Sequence, residues 1–200
     1  MQKNIIKNKK KYTVYDIHNI GKSMFGFWLY LMSDGILFAT MFAVYCVTSI
    51  NVTFNINFFN LKISFLETVL LLLSSIFCGI FVISAKYKNF FLIYFFLFLT
   101  FICGLCFIIM EYYEFYHLIS LGYIPQKNGF LSSFFSLIGM HGIHVIFGLF
   151  WILGLSFHIH KLYFSNTIYT RILCFSLFWH FLDIIWICIF TVVYLMGNIS

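Results

Sequence analysis

Eight ionisable side chains stand inside apolar stretches of this chain, and their spacing limits the chemistry they could do. Asp34, Glu67, Glu111, Glu114 and Asp183 are five of its six acidic residues, and His141, His144 and His180 join them. Ionisable groups at membrane depth are costly, so each is a functional hypothesis. Glu114-x-x-His117 is the Glu-x-x-His unit of di-iron bundles, which need a second such unit and two more Glu at one depth. Here the unit stands alone and its candidate partners fall at different depths. Glu111, Glu114 and His117 follow at i, i+3 and are expected to share one helix face. His141 with His144, and His180 with Asp183, are further i, i+3 pairs. Haem ligation would need axial histidines at one level on facing helices, for which His141 or His144 with His180 are the candidates. Against both metal readings stands a structural one. These groups would hydrogen-bond across helices, where lipid supplies no hydrophobic drive. Glu67 is left open, because a lone carboxylate facing lipid or a cleft could exchange protons.

Cys103-x-x-Cys106 has redox or metal spacing, yet it lies among Phe, Ile and Leu, where a thiolate is poorly solvated. The pair is therefore read as small buried hydrophobes, and all six cysteines (Cys46, Cys78, Cys103, Cys106, Cys174, Cys188) fall inside apolar stretches. There is no phosphate-cradling Gly-rich loop and no Ser-His-Asp set.

Long membrane-spanning helices are the elements that must position these groups. Of the 200 residues, 62% are hydrophobic and 9% charged, against about 25% charged in a soluble domain. That excludes an ordinary soluble domain, a disordered chain and a disulfide-framed secreted module. A spanning helix needs about 20 mostly apolar residues. Five stretches qualify: Phe25 to Ile50, Ile63 to Ala85, Asn89 to about Met110 with an extension toward His117, Phe130 to His158, and Ile172 to Met196. Loops are expected at Asn51–Lys62, Lys86–Lys88, Tyr116–Gly129 and His160–Arg171. The expected fold is an all-α bundle of five transmembrane helices over residues 24–200, behind a basic tail, 1–23. No internal repeat or second domain is visible.

The net charge of +6 is concentrated in that tail, which holds six lysines opposed by Asp16. A basic patch could bind nucleic acid. In so apolar a chain it reads instead as a cytoplasmic segment at an anionic membrane face. It is not read as a signal peptide, because the apolar stretch after it is too long and contains Asp34. Counting Lys and Arg by loop places ten on the tail's side and two on the other. The N-terminus is thus expected in the cytoplasm and the C-terminus outside. Gly139 and Gly142 are expected to let a neighbouring backbone approach. Trp28, Trp151, Trp179 and Trp186 could be interface anchors or packing residues.

Four segments in order resemble one family. Leu29-Tyr-Leu-Met-Ser-Asp34-Gly-Ile-Leu-Phe38 and Phe65-Leu-Glu67-Thr-Val-Leu-Leu-Leu-Leu-Ser-Ser75 are similar to its first two common helices. Glu111-Tyr-Tyr-Glu114, with His141-Gly-Ile-His144-Val-Ile-Phe-Gly148, resembles its signature. Phe178-Trp-His180-Phe-Leu-Asp183-Ile-Ile-Trp186, running on to Tyr194-Leu-Met-Gly197, resembles its last helix. The family is subunit III of haem–copper oxidases, and the match covers about residues 24–197. Room for only five helices resembles the cytochrome bo-type ubiquinol oxidases of bacteria; a subunit III of a cytochrome c oxidase is the alternative donor class.

The resemblance implies a non-catalytic subunit of a proton-pumping terminal oxidase in a bacterial inner membrane. It implies no haem or copper in this chain, since those belong to subunit I. It also implies contacts with subunits I, II and IV, a bound phospholipid and no nucleic acid. The first two helices would stand apart from the last three around a V-shaped lipid cleft. Glu67 would face that cleft and influence proton uptake. Asp34, Glu111, Glu114, His117, His141, His144, His180 and Asp183 would be structural polar residues. Outside the family, an independent metal- or haem-binding bundle and a transporter lined by Asp34, Glu67 and Asp183 are the competing classes.

Overall fold

In hydrocarbon every backbone N–H and C=O must be satisfied within the segment, which favours unbroken helices. The computed structural model describes residues 2–49, 61–87, 89–126, 128–161 and 166–195. It contains α1 (Gln2–Ser49), α2 (Leu61–Tyr87), α3 (Phe90–Ser120), α4 (Gly129–Lys161) and α5 (Asn166–Ile189). A π-helical turn, Phe190–Leu195, continues α5. No strand occurs among the described residues. Each helix contains a segment long and apolar enough to cross a membrane, the shortest being Lys62–Tyr87. At 1.5 Å per residue that is about 39 Å, more than the ~30 Å of a hydrocarbon core.

All five expected stretches fall on separate helices, with shifted ends. α3 continues past His117 to Ser120, and α5 starts six residues before Ile172, so the expected loop His160–Arg171 shortens. The stop of α3 is built by Gly122, whose φ of 84° suits a residue without Cβ. Tyr123 N–H donates to the Leu118 carbonyl (3.1 Å) and Gly122 N–H to the Ile119 carbonyl (2.9 Å), which closes a Schellman motif. Most of the Asn51–Lys62 loop, Lys88, Lys127, Ser165 and the end of the Tyr194–Gly197 motif lie outside the described residues.

α5 is the central helix. α1 packs on α4 and α5, α2 packs on α3 and α5, and α4 also meets α3. The expected grouping of the first two helices against the last three is therefore corrected. α1 and α2 do not form an arm together, because α5 takes the interface each would offer the other. The buried face of α3 reads Ile93, Leu97, Thr100, Gly104, Phe107, Glu111, Glu114 and Leu118. These steps alternate four and three, the heptad spacing that keeps one seam against its neighbours. Two carboxyl groups thus occupy seam positions. His117 does not, since it lies one residue short of Leu118; its side chain is exposed, and its expected place beside Glu114 is corrected.

Candidate functional site

A polar seam runs between α2 and α5. Trp186 Nε1–H donates to Thr68 Oγ1 (3.2 Å), and Trp179 Nε1–H donates to Ser74 Oγ (3.0 Å). Ser75 Oγ and His180 Nδ1 share a bond of 2.7 Å. From Thr68 to Ser74 on α2 the partner on α5 steps back from Trp186 to Trp179, so the pairs fix two antiparallel helices in register. Ser74 and Thr68 also donate to their own helix, to the Leu71 and Ser64 carbonyls. Each hydroxyl therefore accepts from an indole while donating backwards, and each indole N–H is satisfied inside the bundle. Asp183 Oδ2 lies 3.9 Å from the same His180 nitrogen, which extends the row to Ser75, His180 and Asp183.

Trp179 ties four helices together. Its ring is 1% exposed. A Cβ added at Gly104 of α3 would meet its Cη2 at 3.0 Å, and one at Gly148 of α4 would meet its Cζ3 at 2.8 Å. The indole thus sits between two glycines while its N–H reaches α2.

Three carboxyl groups gather farther along the bundle. Glu67 of α2 is 0% exposed and interacts electrostatically with Glu114 and Glu111 of α3. Neither Glu67 oxygen has a hydrogen-bond partner. Tyr194, on the π-helical turn, donates its O–H to Glu114 Oε2 at 3.2 Å. The Glu111 carboxyl rests against Gly142, where a Cβ would stand 2.6 Å from Oε1. Glu67 is therefore neither lone nor turned to a lipid cleft. It is fully buried in the bundle.

Between α1 and α4, His144 Nε2 faces Asp34 Oδ2 at 3.8 Å. His144 Nδ1 is 2.8 Å from the Met140 carbonyl, and a carbonyl only accepts, so that nitrogen carries hydrogen. The Thr48 and Ser133 hydroxyls join the same two helices at 2.8 Å. His141 behaves differently from the cross-helix bonding expected of it. It is 0% exposed, and neither ring nitrogen has a hydrogen-bond partner. Its ring packs against Trp186 (5.2 Å between centroids), Phe107 (5.8 Å) and Phe38 (6.4 Å).

Seven of the nine expected residues thus divide among three groups, His180 with Asp183, Glu67 with Glu111 and Glu114, and Asp34 with His144, while His117 and His141 stand outside them. Among the described residues, no three His, Cys, Asp or Glu side chains form a possible metal site. Gly142 admits a carboxyl group rather than a backbone, and Gly139 has nothing within 4 Å of a Cβ, so its expected packing role is corrected. Cys103 and Cys106, expected to be buried, are half-buried, while Cys78 and Cys174 are buried and Cys46 and Cys188 are exposed. The sequence reading missed Thr68, Ser74, Ser75 and Tyr194 as partners. The available signal was that Thr68 and Ser74 stand six apart on α2, close to the seven residues between Trp179 and Trp186 on α5.

Comparison with known proteins bears on the same residues. The family profile described as cytochrome c oxidase subunit III matches residues 6–198. The chain is 55% identical over 181 residues to cytochrome bo(3) ubiquinol oxidase subunit 3 of Buchnera aphidicola subsp. Acyrthosiphon pisum (strain APS), covering 89% of this chain and 88% of that one. It is 47% identical over 184 residues to the Pseudomonas putida protein of the same name, covering 90% and 89%. It is 35% identical over 178 residues to quinol oxidase subunit 3 of Bacillus subtilis (strain 168), covering 88% and 87%. A bundle of five helices long and apolar enough to cross a membrane, matched over nearly its full length, belongs to the cytochrome c oxidase subunit III family.

Proposed function

We propose that this multi-pass membrane protein is the non-catalytic subunit III of a proton-translocating ubiquinol oxidase in a bacterial inner membrane. The observation that carries this is the near-full-length similarity, 47–55%, to proteins named cytochrome bo(3) ubiquinol oxidase subunit 3. The geometry supports a scaffold role, because the indoles, hydroxyls and several of the acids and histidines that could have served a reaction instead join helix to helix. On this reading haems and copper reside in subunit I, which oxidises quinol and reduces O2. This chain holds a phospholipid and meets subunits I, II and IV through its exposed apolar faces. The basic N-terminal segment lies in the cytoplasm and the C-terminus outside, as the Lys and Arg distribution favours. Affinity purification of the tagged chain from its native membrane tests the reading. A haem-containing complex that oxidises quinol is the expected result. Stoichiometric iron or copper bound to this chain alone would overturn it.

Within the complex we assign Glu67 to proton uptake by subunit I. Its buried, unpartnered carboxyl group supports a role beyond helix pairing. Glu67→Gln keeps the shape of the side chain, so the complex should assemble, with altered proton uptake or inactivation rate during turnover. Absence of the complex from the membrane would instead make Glu67 structural.

A further inference from the structure

Around the central helix the other four pack in the order α2, α3, α4, α1, and that ring is open between α1 and α2. One strip of α5 faces the opening. Leu173, Leu177, His180, Ile184, Ile187 and Thr191 follow at alternate steps of four and three, and each is half-buried or exposed. That is the spacing of a helix-packing seam. Both walls border it at one level. His180 Nδ1 is bonded to Ser75 of α2, and the neighbouring Phe181 ring is 3.8 Å from where a Cβ on Gly35 of α1 would stand. Eighteen helical steps make the strip about 27 Å long, close to the ~30 Å of a hydrocarbon core.

His180 says what covers the strip. It stands at mid-depth, because its partner Ser75 is thirteen residues after Lys62 and twelve before Tyr87, the ends of the α2 span. Its side chain is nevertheless 42% exposed. Nδ1 is engaged by Ser75, with Asp183 Oδ2 at 3.9 Å. A carboxyl group on that side favours hydrogen on Nδ1, which leaves Nε2 an acceptor. Among the described residues Nε2 has no partner. An open acceptor in hydrocarbon is costly. Acyl chains carry no donor at that depth, and headgroups lie a leaflet away. A donor must come from a side chain on another helix. Thr191, on the same strip, already donates to the Ile187 and Cys188 carbonyls, so His180 is the polar group that sets the register of that helix. We propose that a transmembrane helix of another oxidase subunit packs along this strip and places a hydroxyl, amide or indole donor against His180 Nε2. The proposal rests on the subunit reading above and names the face that such a subunit meets.

The test uses the whole complex in its native membrane. A photo-crosslinking residue replaces Ile184, which is 61% exposed and one turn from His180. Mass spectrometry should find it joined to a transmembrane segment of another subunit. That segment should carry Ser, Thr, Tyr, Trp, Asn or Gln within a turn of the crosslink. Adducts with lipid alone would overturn the proposal, as would crosslinks to a second copy of this chain. A captured segment with only apolar residues at that level would overturn the contact to His180. Ile184→Trp adds bulk on the strip without touching the buried core. It should lower the amount of this chain retained per haem in the purified complex by about fivefold or more, the effect of overpacking an interface. Ile109→Trp, on an exposed face of α3, should leave retention unchanged, and an equal loss there would overturn the assignment to α5. The crosslinker at position 184 decides the matter without the tryptophan variants if those fail to assemble. Haem in the same preparation reports separately on the oxidase reading.

Discussion

Gly148→Ala should loosen the bundle by squeezing Trp179 and, less tightly, Phe178. The new Cβ would stand 2.8 Å from Trp179 Cζ3, 3.1 Å from its Cε3 and 3.2 Å from Phe178 Cε1. Carbon atoms attract best at about 3.5–4.0 Å, so the ring must retreat by roughly 0.7 Å or more. It has nowhere to go. Gly104 bounds the opposite edge, with room for no more than hydrogen there, and the N–H is tied to Ser74 at 3.0 Å. Overpacking of this kind costs about 1–3 kcal/mol, and a swing that broke the indole bond would add about 1 kcal/mol. The measurement is dissociation of this chain from the purified complex under a denaturant series, with wild type, Gly148→Ala, Trp179→Leu and the double variant. The two changes should couple strongly, because Gly148→Ala loses its target once the ring is gone. Gly139→Ala, with nothing within 4 Å, is the control and should be neutral or mildly stabilising. A Gly148→Ala complex within ~0.5 kcal/mol of wild type, or a cost that persists without the indole, would refute the reasoning.

Other variants probe the remaining groups. Tyr194→Phe removes the donor to Glu114 Oε2 and should destabilise by about 1–3 kcal/mol in the same denaturant series; no change would mean that bond contributes nothing. His141→Leu should be tolerated to within about 1.5 kcal/mol, because both ring nitrogens already lack partners among aromatic rings; loss of the complex would reveal an essential polar role. His180→Ala leaves Ser75 and Asp183 without their shared neighbour, and Asp183→Ala strips His180 of its acidic one. Both should lower the amount of complex recovered, and wild-type yields from both would contradict the pairing.

The sequence by itself determined the class and the count of elements. Length and hydrophobicity are local properties of each stretch, and in lipid they leave the backbone only the helix. Five spans, the loop that ends α3 and the family motifs were all legible in the sequence. So was the importance of the intramembrane acids and histidines, because their cost at depth depends on residue type alone. Their partners were not legible. Glu111, Glu114 and His117 look equivalent by spacing, yet the seam of α3 turns two inward and leaves the third outside, since 100° per residue carries His117 off the face. His141 and His144 are three residues apart, and one packs among rings while the other faces Asp34. Glu67 looked isolated because its carboxyl neighbours come from a different helix. The central place of α5, which separates α1 from α2, was decided only by the tertiary structure. Which atoms meet across an interface depends on the rotation and register of two helices. Those are set by many contacts distant in the chain, such as one indole held between two glycines.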